Sequence, residues 1–218
     1  MVYGLRFIFR MYGLKDKRIE LPKIKQEKRL PVVLSREEVK RLLKAPKLLK
    51  HRVLIGMLYG CGLRCFELRN VKLNDLDYDR KMLHVRQGKG KKDRYVPLSE
   101  ILINGLKKYI EAENPTEWLF NGKEEGKDGG DKDSQYSQRG VQWAVSQAKK
   151  AAGIIKQMNV HTLRHTYATH LLEDGLDIMT IKDLLGHECI DTTMVYLHVA
   201  QSGRVKPFSP LDKLYPSK

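Results

Sequence analysis

His161-Thr-Leu-Arg164-His165, Leu184-Leu185-Gly186-His187 and Asp191-Thr-Thr-Met-Val-Tyr196-Leu-His198 lie within one stretch, Val160 to His198, and its reading decides the fold. Gly175 and Gly186 punctuate it, while Asp177 and Asp191 stand where helix caps are wanted. The stretch therefore reads as three helices, about 161–174, 177–185 and 191–199, the last with an Ile190–Val195 hydrophobic staple. His161 and Arg164 are three apart and share a face at the start of the first helix. His187 follows a Leu-Leu-Gly turn, so it belongs to a helix end rather than a core. Tyr196 comes one short helix later. Two imidazoles, a guanidinium and a phenol so arranged are spaced by chemistry rather than by packing.

Working outward, Ser137–Ala152 reads as a helix ended by Gly153, and Gly122–Ser134 as a loop of Gly, Lys, Glu and Asp. Trp118-Leu-Phe120 is a short extended piece, and Ser99 caps a helix to about Glu113. Between Val71 and Ser99 the texture changes. Leu73–Tyr78, Met82–Gln87 and Arg94–Pro97 predict three strands, joined by a turn at Asp79-Arg80 and a hairpin over Gly88–Asp93. Further upstream, Gly60-Cys-Gly62 breaks an apolar helix over roughly 49–59, and a short helix then carries Arg64 and Glu67. Leu34-Ser35-Arg-Glu-Glu38-Val39 holds a capping box and a staple. Residues 2–13 read as one amphipathic helix and Lys15–Pro31 as a basic linker. The fold class is mainly α with a small three-stranded antiparallel β-sheet at one edge.

The 218 residues suit one domain with a small appendage. Their formal charge is +15, and residues 1–50 carry 15 Lys/Arg against 5 Asp/Glu. So basic a balance points to a polyanion, most often nucleic acid. Cys61, Cys65 and Cys189 form no CxxC pair and no even framework, which fits a reduced, cytoplasmic setting. Cys61 and Cys65, four apart on a helix, are most simply small core residues. No apolar run approaches the ~20 residues that span a bilayer, and Arg6 and Arg10 interrupt the apolar start, so neither a membrane span nor a signal peptide is expected.

A phenol with a pKa of about 10 needs cations beside it to act as a nucleophile. His161, Arg164 and His187 supply such company, and two more cations lie upstream. Arg64 follows a Gly-x-Gly break that lets the backbone bring it close, and Lys89 sits on the hairpin tip, where Lys91 and Lys92 compete for its role unless they simply face solvent. These residue types meet the needs of in-line attack on a phosphodiester, whose transition state spreads negative charge over equatorial oxygens. Two guanidiniums form a metal-free clamp, each presenting a planar fork to phosphate oxygens. An imidazole can take and return a proton, and a lysine can protonate a departing alkoxide. The phenol would hold the phosphate as a covalent ester.

With those residues in view, the chain resembles the catalytic domain of the tyrosine recombinases, the phage integrase family, and is most similar to Xer-like and integron-type members. The resemblance rests on Gly62-Leu-Arg64-Cys-Phe-Glu67, Gly88-Lys89-Gly90, His161-Thr-Leu-Arg164-His165, Leu185-Gly186-His187 and Thr192-Thr-x-x-Tyr196-x-His198. Each motif is weak alone; the set, in the family's order and spacing, is highly specific. It implies the tyrosine recombinase catalytic-domain fold and site-specific cutting and rejoining of DNA through a 3′-phosphotyrosyl intermediate, with no cofactor and no metal. It implies Tyr196 as nucleophile, Arg64 and Arg164 as clamp, His161 as acid/base, Lys89 as general acid on the 5′-oxygen and His187 as a further phosphate donor. Glu67 and His165 would support these groups. The implied partners are double-stranded DNA and further copies of the chain, a homo-tetramer on synapsed sites formed from monomers. Residues 32–200 would be the catalytic domain and 201–218 a C-terminal tail, with residues after Tyr196 docking on a neighbour; the apolar Val199 and Phe208 are expected to contribute to that docking. Residues 1–31 would be a remnant of the core-binding domain that members usually carry. Phe66 departs from the small or hydroxyl residue common at its place.

Three rivals carry different expectations. A type IB topoisomerase would share the chemistry without pairing sites. A DNA-binding regulator with an inert site should have lost at least one member of the constellation. A metal module using His161 and His165 at i, i+4 lacks the Glu of HExxH and a third ligand.

Overall fold

The computed structural model describes residues 7–9, 11–13, 30–86, 93–122 and 134–200. In chain order these form α1 (Arg36–Lys44), α2 (Leu49–Gly60), α3 (Cys65–Arg69), β1 (Leu76–Asp77), β2 (Met82–Val85), β3 (Arg94–Pro97), α4 (Glu100–Glu113), α5 (Gln138–Ala151), α6 (Val160–Glu173), α7 (Ile178–Leu185) and α8 (Asp191–Met194). Single 3-10 turns cover Leu73–Asp75 and Val195–His198. Of the helix expected over 2–13, Phe7–Phe9 and Met11 are helical, with Phe7, Ile8, Met11 and Tyr12 exposed. The rest of that helix, the linker to residue 29, the hairpin tip with Lys89 and the tail from residue 201 lie outside the described residues.

α2 is apolar around most of its circumference and is the centre of the molecule. Val53, Leu54, Ile55, Met57 and Leu58 are buried, and α1, α4, α5 and α6 pack around them. Burial of each such side chain is worth roughly 1.5–3 kcal/mol. The Ser35 capping box forms as expected: Ser35 Oγ accepts the Glu38 N–H at 3.2 Å, and the Ser35 N–H donates to Glu38 at 2.7 Å. Just before it, Leu34 is fastened to the middle of α6. Its N–H donates to Thr166 Oγ1 at 3.1 Å, and its carbonyl faces His170 Nε2 at 3.0 Å. With Nε2 donating there, His170 Nδ1 accepts from the Tyr59 hydroxyl at 2.9 Å.

The sheet is antiparallel in the order β1-β2-β3, with Leu83 opposite Val96 and Val85 opposite Arg94. Leu83, Val85 and Val96 face the core, while His84 and Tyr95 stack on the outer face with ring centroids 4.7 Å apart. The period of two therefore turns Arg94 inward with Val96. The first strand is shorter than the Leu73–Tyr78 expected. Asp75 is buried, accepting the Lys72 N–H at 2.9 Å and Arg86 Nε at 2.5 Å. That local bond draws Leu73–Asp75 into a 3-10 turn and leaves Leu76–Asp77 for the ladder. The structure is thus mainly helical with a three-stranded antiparallel sheet. Among the described residues no helix is long and apolar enough to cross a membrane.

Candidate active site

The site begins at the break after α2. Gly62 has φ +60, and a Cβ there would lie 2.4 Å from the Tyr167 ring, so both backbone and packing demand glycine. This turn aims the Gly62 carbonyl at Arg164 Nη1, 2.7 Å away. Two residues on, Arg64 is the N-cap of α3, and Glu67 reaches back to it: Oε2 accepts the Arg64 N–H at 2.8 Å and Oε1 accepts Nη1 at 2.7 Å. Cys61, buried, thus ends α2, and half-buried Cys65 opens α3, so the two belong to different helices.

Glu67 is a hub for three guanidiniums. Besides Arg64 it accepts Arg94 Nη1 at 3.0 Å and Nη2 at 2.9 Å, a bidentate fork, and Arg164 Nη1 lies 3.7 Å away. Burial pushes its carboxyl up, but the Arg94 hydrogen bonds and charge, the Arg64 N–H and the Arg164 charge outweigh this and hold it at about 2. Three guanidiniums on one carboxylate leave a surplus of positive charge beside an open cleft. Arg164 is buried on α6, its fork engaged by the Gly62 and Leu185 carbonyls. Burial first, and then the Arg64 charge, bring its pKa down to about 10, so it stays cationic at neutral pH.

α7 opens on Asp177, whose carboxylate accepts from the Met179 and Thr180 N–H groups, and closes at Gly186 in the left-handed conformation. The His187 N–H donates back to the Lys182 carbonyl at 3.0 Å, which sets where the imidazole begins. Its Nδ1 lies 2.9 Å from the buried Thr193 hydroxyl, and burial followed by the Arg164 and Arg64 charges lowers its pKa to about 3. The ring is therefore neutral, and with Nδ1 accepting from Thr193 its Nε2–H is a donor.

Tyr196 falls on the 3-10 turn that continues α8, which is capped by Ile190 rather than Asp191; Asp191 instead occupies the first turn, where an acidic side chain suits the helix dipole. Its ring is 1% exposed, packed with Tyr167, Ala168, Ile181 and Leu185 in a small apolar cluster. Its hydroxyl is 3.1 Å from His165 Nδ1. Burial raises the phenol's pKa, and the charges of Arg164 and Arg64 work against that rise. His165 is pushed down by burial, then by His161 and Arg164, and His161 by burial, then by Arg164 and Arg64.

Arg64, His161, Arg164, His165, His187 and Tyr196 all line one cleft of about 810 Å³. Glu67 braces it from behind, and Lys89 lies outside the described residues. The imidazole at the Tyr196 hydroxyl is that of His165. Arg94 and Thr193 were missed by sequence reasoning. A charged residue on the inward register of an otherwise apolar strand face is the signal that could have revealed Arg94. Among the described residues, no three His, Cys, Asp or Glu side chains are grouped to hold a metal ion.

Comparison with known proteins gives one answer. The phage integrase family model matches residues 32–202. Tyrosine recombinase XerA of Thermococcus kodakarensis is 40% identical over 203 residues, covering 91% of this chain and 69% of that protein. The crystal structure of XerA recombinase superposes with a TM-score of 0.69 at 29% identity, over 95% of this chain and 71% of the other. XerH site-specific recombinase bound to palindromic difH substrate, a post-cleavage complex, has the same fold, with a TM-score of 0.71 at 24% identity over 84% of this chain and 56% of the other. The chain belongs to the phage integrase family and is a tyrosine recombinase.

Proposed function

We propose that the cleft cuts and rejoins double-stranded DNA through a 3′-phosphotyrosyl bond, with residues 32–200 as the catalytic domain. The observation that carries this reading is the convergence of Arg64, Arg164, His161, His187 and Tyr196 on one cleft with more guanidinium than carboxylate charge. Arg64 and Arg164 hold the non-bridging oxygens of the scissile phosphate, and His187 Nε2–H adds a neutral donor. The Tyr196 oxygen attacks phosphorus, the bond to the 5′-oxygen breaks, and Lys89 gives that oxygen its proton. The phenolic proton leaves to an imidazole. His165 already faces the hydroxyl, and His161, exposed at the cleft mouth, meets it as the phenol swings toward phosphate. Rejoining runs the same steps in reverse, with the ester bond energy conserved.

A buried Tyr196 supports a resting state in which the nucleophile is held away from DNA. Attack requires its hydroxyl to leave His165 and enter the cleft. In this reading, recombination uses four copies on two synapsed sites, residues 201–218 reach a neighbour, and residues 1–31 lie along the DNA.

The test is a nicked suicide substrate, whose cleaved end diffuses away and traps the covalent adduct. Wild type should give a shifted band on a denaturing gel, with or without EDTA, and Tyr196→Phe none. An adduct that persists in Tyr196→Phe would transfer the nucleophile elsewhere.

A further inference from the structure

Arg94 belongs to none of the motifs that define the site, yet it makes more of the site's internal bonds than Arg64 does. Its Nη1 and Nη2 fork onto Glu67 at 3.0 and 2.9 Å, and its Nε donates to the Leu184 carbonyl at 2.8 Å. Leu184 and Leu185 end α7, where helix carbonyls lack intrahelical partners. Arg94 takes one of them and Arg164 the other. The side chain is 9% exposed, and its stem lies against Gly186, where a Cβ would come within 3.2 Å of Arg94 Cδ. One guanidinium thus joins three separate pieces: β3 leaving the hairpin, Glu67 behind Arg64, and the helix end from which His187 projects.

We propose that Arg94 is a positioning residue of the recombinase, locking Glu67, and through it Arg64, together with the helix end before His187, into the geometry that receives the phosphodiester. The proposal rests on the phosphate-clamp reading of the cleft. Arg94 is not given a place on the substrate, because its side chain is 9% exposed and, unlike Arg64 and Arg164, is not part of the cleft lining. Facing Glu67 are Arg64 from its own helix, Arg94 from β3 and Arg164 from α6, with His161 beyond them. Without Arg94, burial continues to push the Glu67 carboxyl up while its strongest cationic partner is gone. Glu67 then takes a proton at higher pH, and a neutral carboxyl no longer holds Arg64.

The experiment compares wild type, Arg94→Ala and Arg94→Lys for adduct formation on the nicked substrate across pH, with DNA binding and thermal midpoint measured in parallel. Arg94→Ala should bind DNA with near wild-type affinity yet form adduct roughly 10- to 100-fold more slowly at neutral pH. Its acid limb should move upward by at least about one pH unit, a shift that general loosening of the fold does not produce. Arg94→Lys restores charge without the fork, so it should recover the pH profile more than the rate. If Arg94→Ala does not fold, Arg94→Met, an uncharged side chain whose unbranched stem still covers Gly186, decides by the same two readouts. Wild-type rates in the uncharged variant, or its slowing by the same factor at every pH, would overturn the proposal. Carboxyl NMR of Glu67 separates this outcome from failure of the clamp reading. The upward displacement of its titration in the uncharged variant is required whether or not the wild type forms an adduct, and its absence sinks the role of Arg94 alone.

Discussion

Glu67 shows how one carboxylate ties the site's stability to its chemistry. Its folded-state pKa of about 2 lies below the ordinary 4.5. A depressed carboxyl contributes stability that is fully present above its unfolded pKa and lost as pH falls through the folded one. At 4% exposure the contribution is on the order of 3 kcal/mol. The thermal midpoint of the wild type should therefore fall between pH 4.5 and about 2. Glu67→Gln should start lower at neutral pH, by roughly 3–5 kcal/mol because a buried charge network loses its anion, and show a shallower acid slope. A Gln variant that follows the wild-type slope would mean Glu67 is not the group titrating. At this scale the sequence was informative about Arg64, Glu67, His161, Arg164, His165, His187 and Tyr196, because their letters and spacings are local. Arg94 was illegible because its acceptors lie 27 and 90 positions away. The burial of Tyr196 was hidden too, since its cluster draws on α6 and α7 together.

Among the elements, helix starts were the most legible feature, since a cap is written in four consecutive residues. Ser35, Ser99 and Asp177 all cap where expected, and Ser137, read as the first residue of its helix, is its cap. The strand from Leu73 and the helix from Asp191 were read less well, because Asp75 and the tightened turn at Val195–His198 answer to tertiary partners. Two glycines show what the elements require. Gly186 has φ +62 and sits against Arg94, while Gly62 has φ +60 and would drive a Cβ to 2.4 Å from Tyr167. Gly186→Ala should cost about 1–2 kcal/mol from the left-handed backbone alone, and its pressure on Arg94 should slow adduct formation as well. Gly62→Ala should be clearly worse, because a ring in the core must also move. Urea unfolding of both variants checks the ranking; equal midpoints would show that the Tyr167 contact relaxes freely.

At the scale of the whole molecule, charge is the property most plainly written in the sequence and least visible in any single contact. With a formal net charge of +15, binding to duplex DNA should weaken steeply with salt as counterions are released. Raising salt from about 50 to about 200 mM should cost at least roughly a hundredfold in affinity, read by fluorescence anisotropy on a fixed duplex. A flat salt dependence would argue that the basic surplus does not meet phosphate. Fold class was recoverable because alternating and helical periods change cleanly at Val71 and Ser99, whereas the layout around α2 depended on contacts that no local pattern encodes.

Leu34 has a mechanical consequence. Its N–H and its carbonyl are both fastened to α6, at Thr166 and His170, on the same helix that carries His161, Arg164 and His165. Removing either acceptor or donor, Thr166 Oγ1 or the His170 imidazole, would unfasten the start of α1 from the helix that presents the cleft's His161, Arg164 and His165.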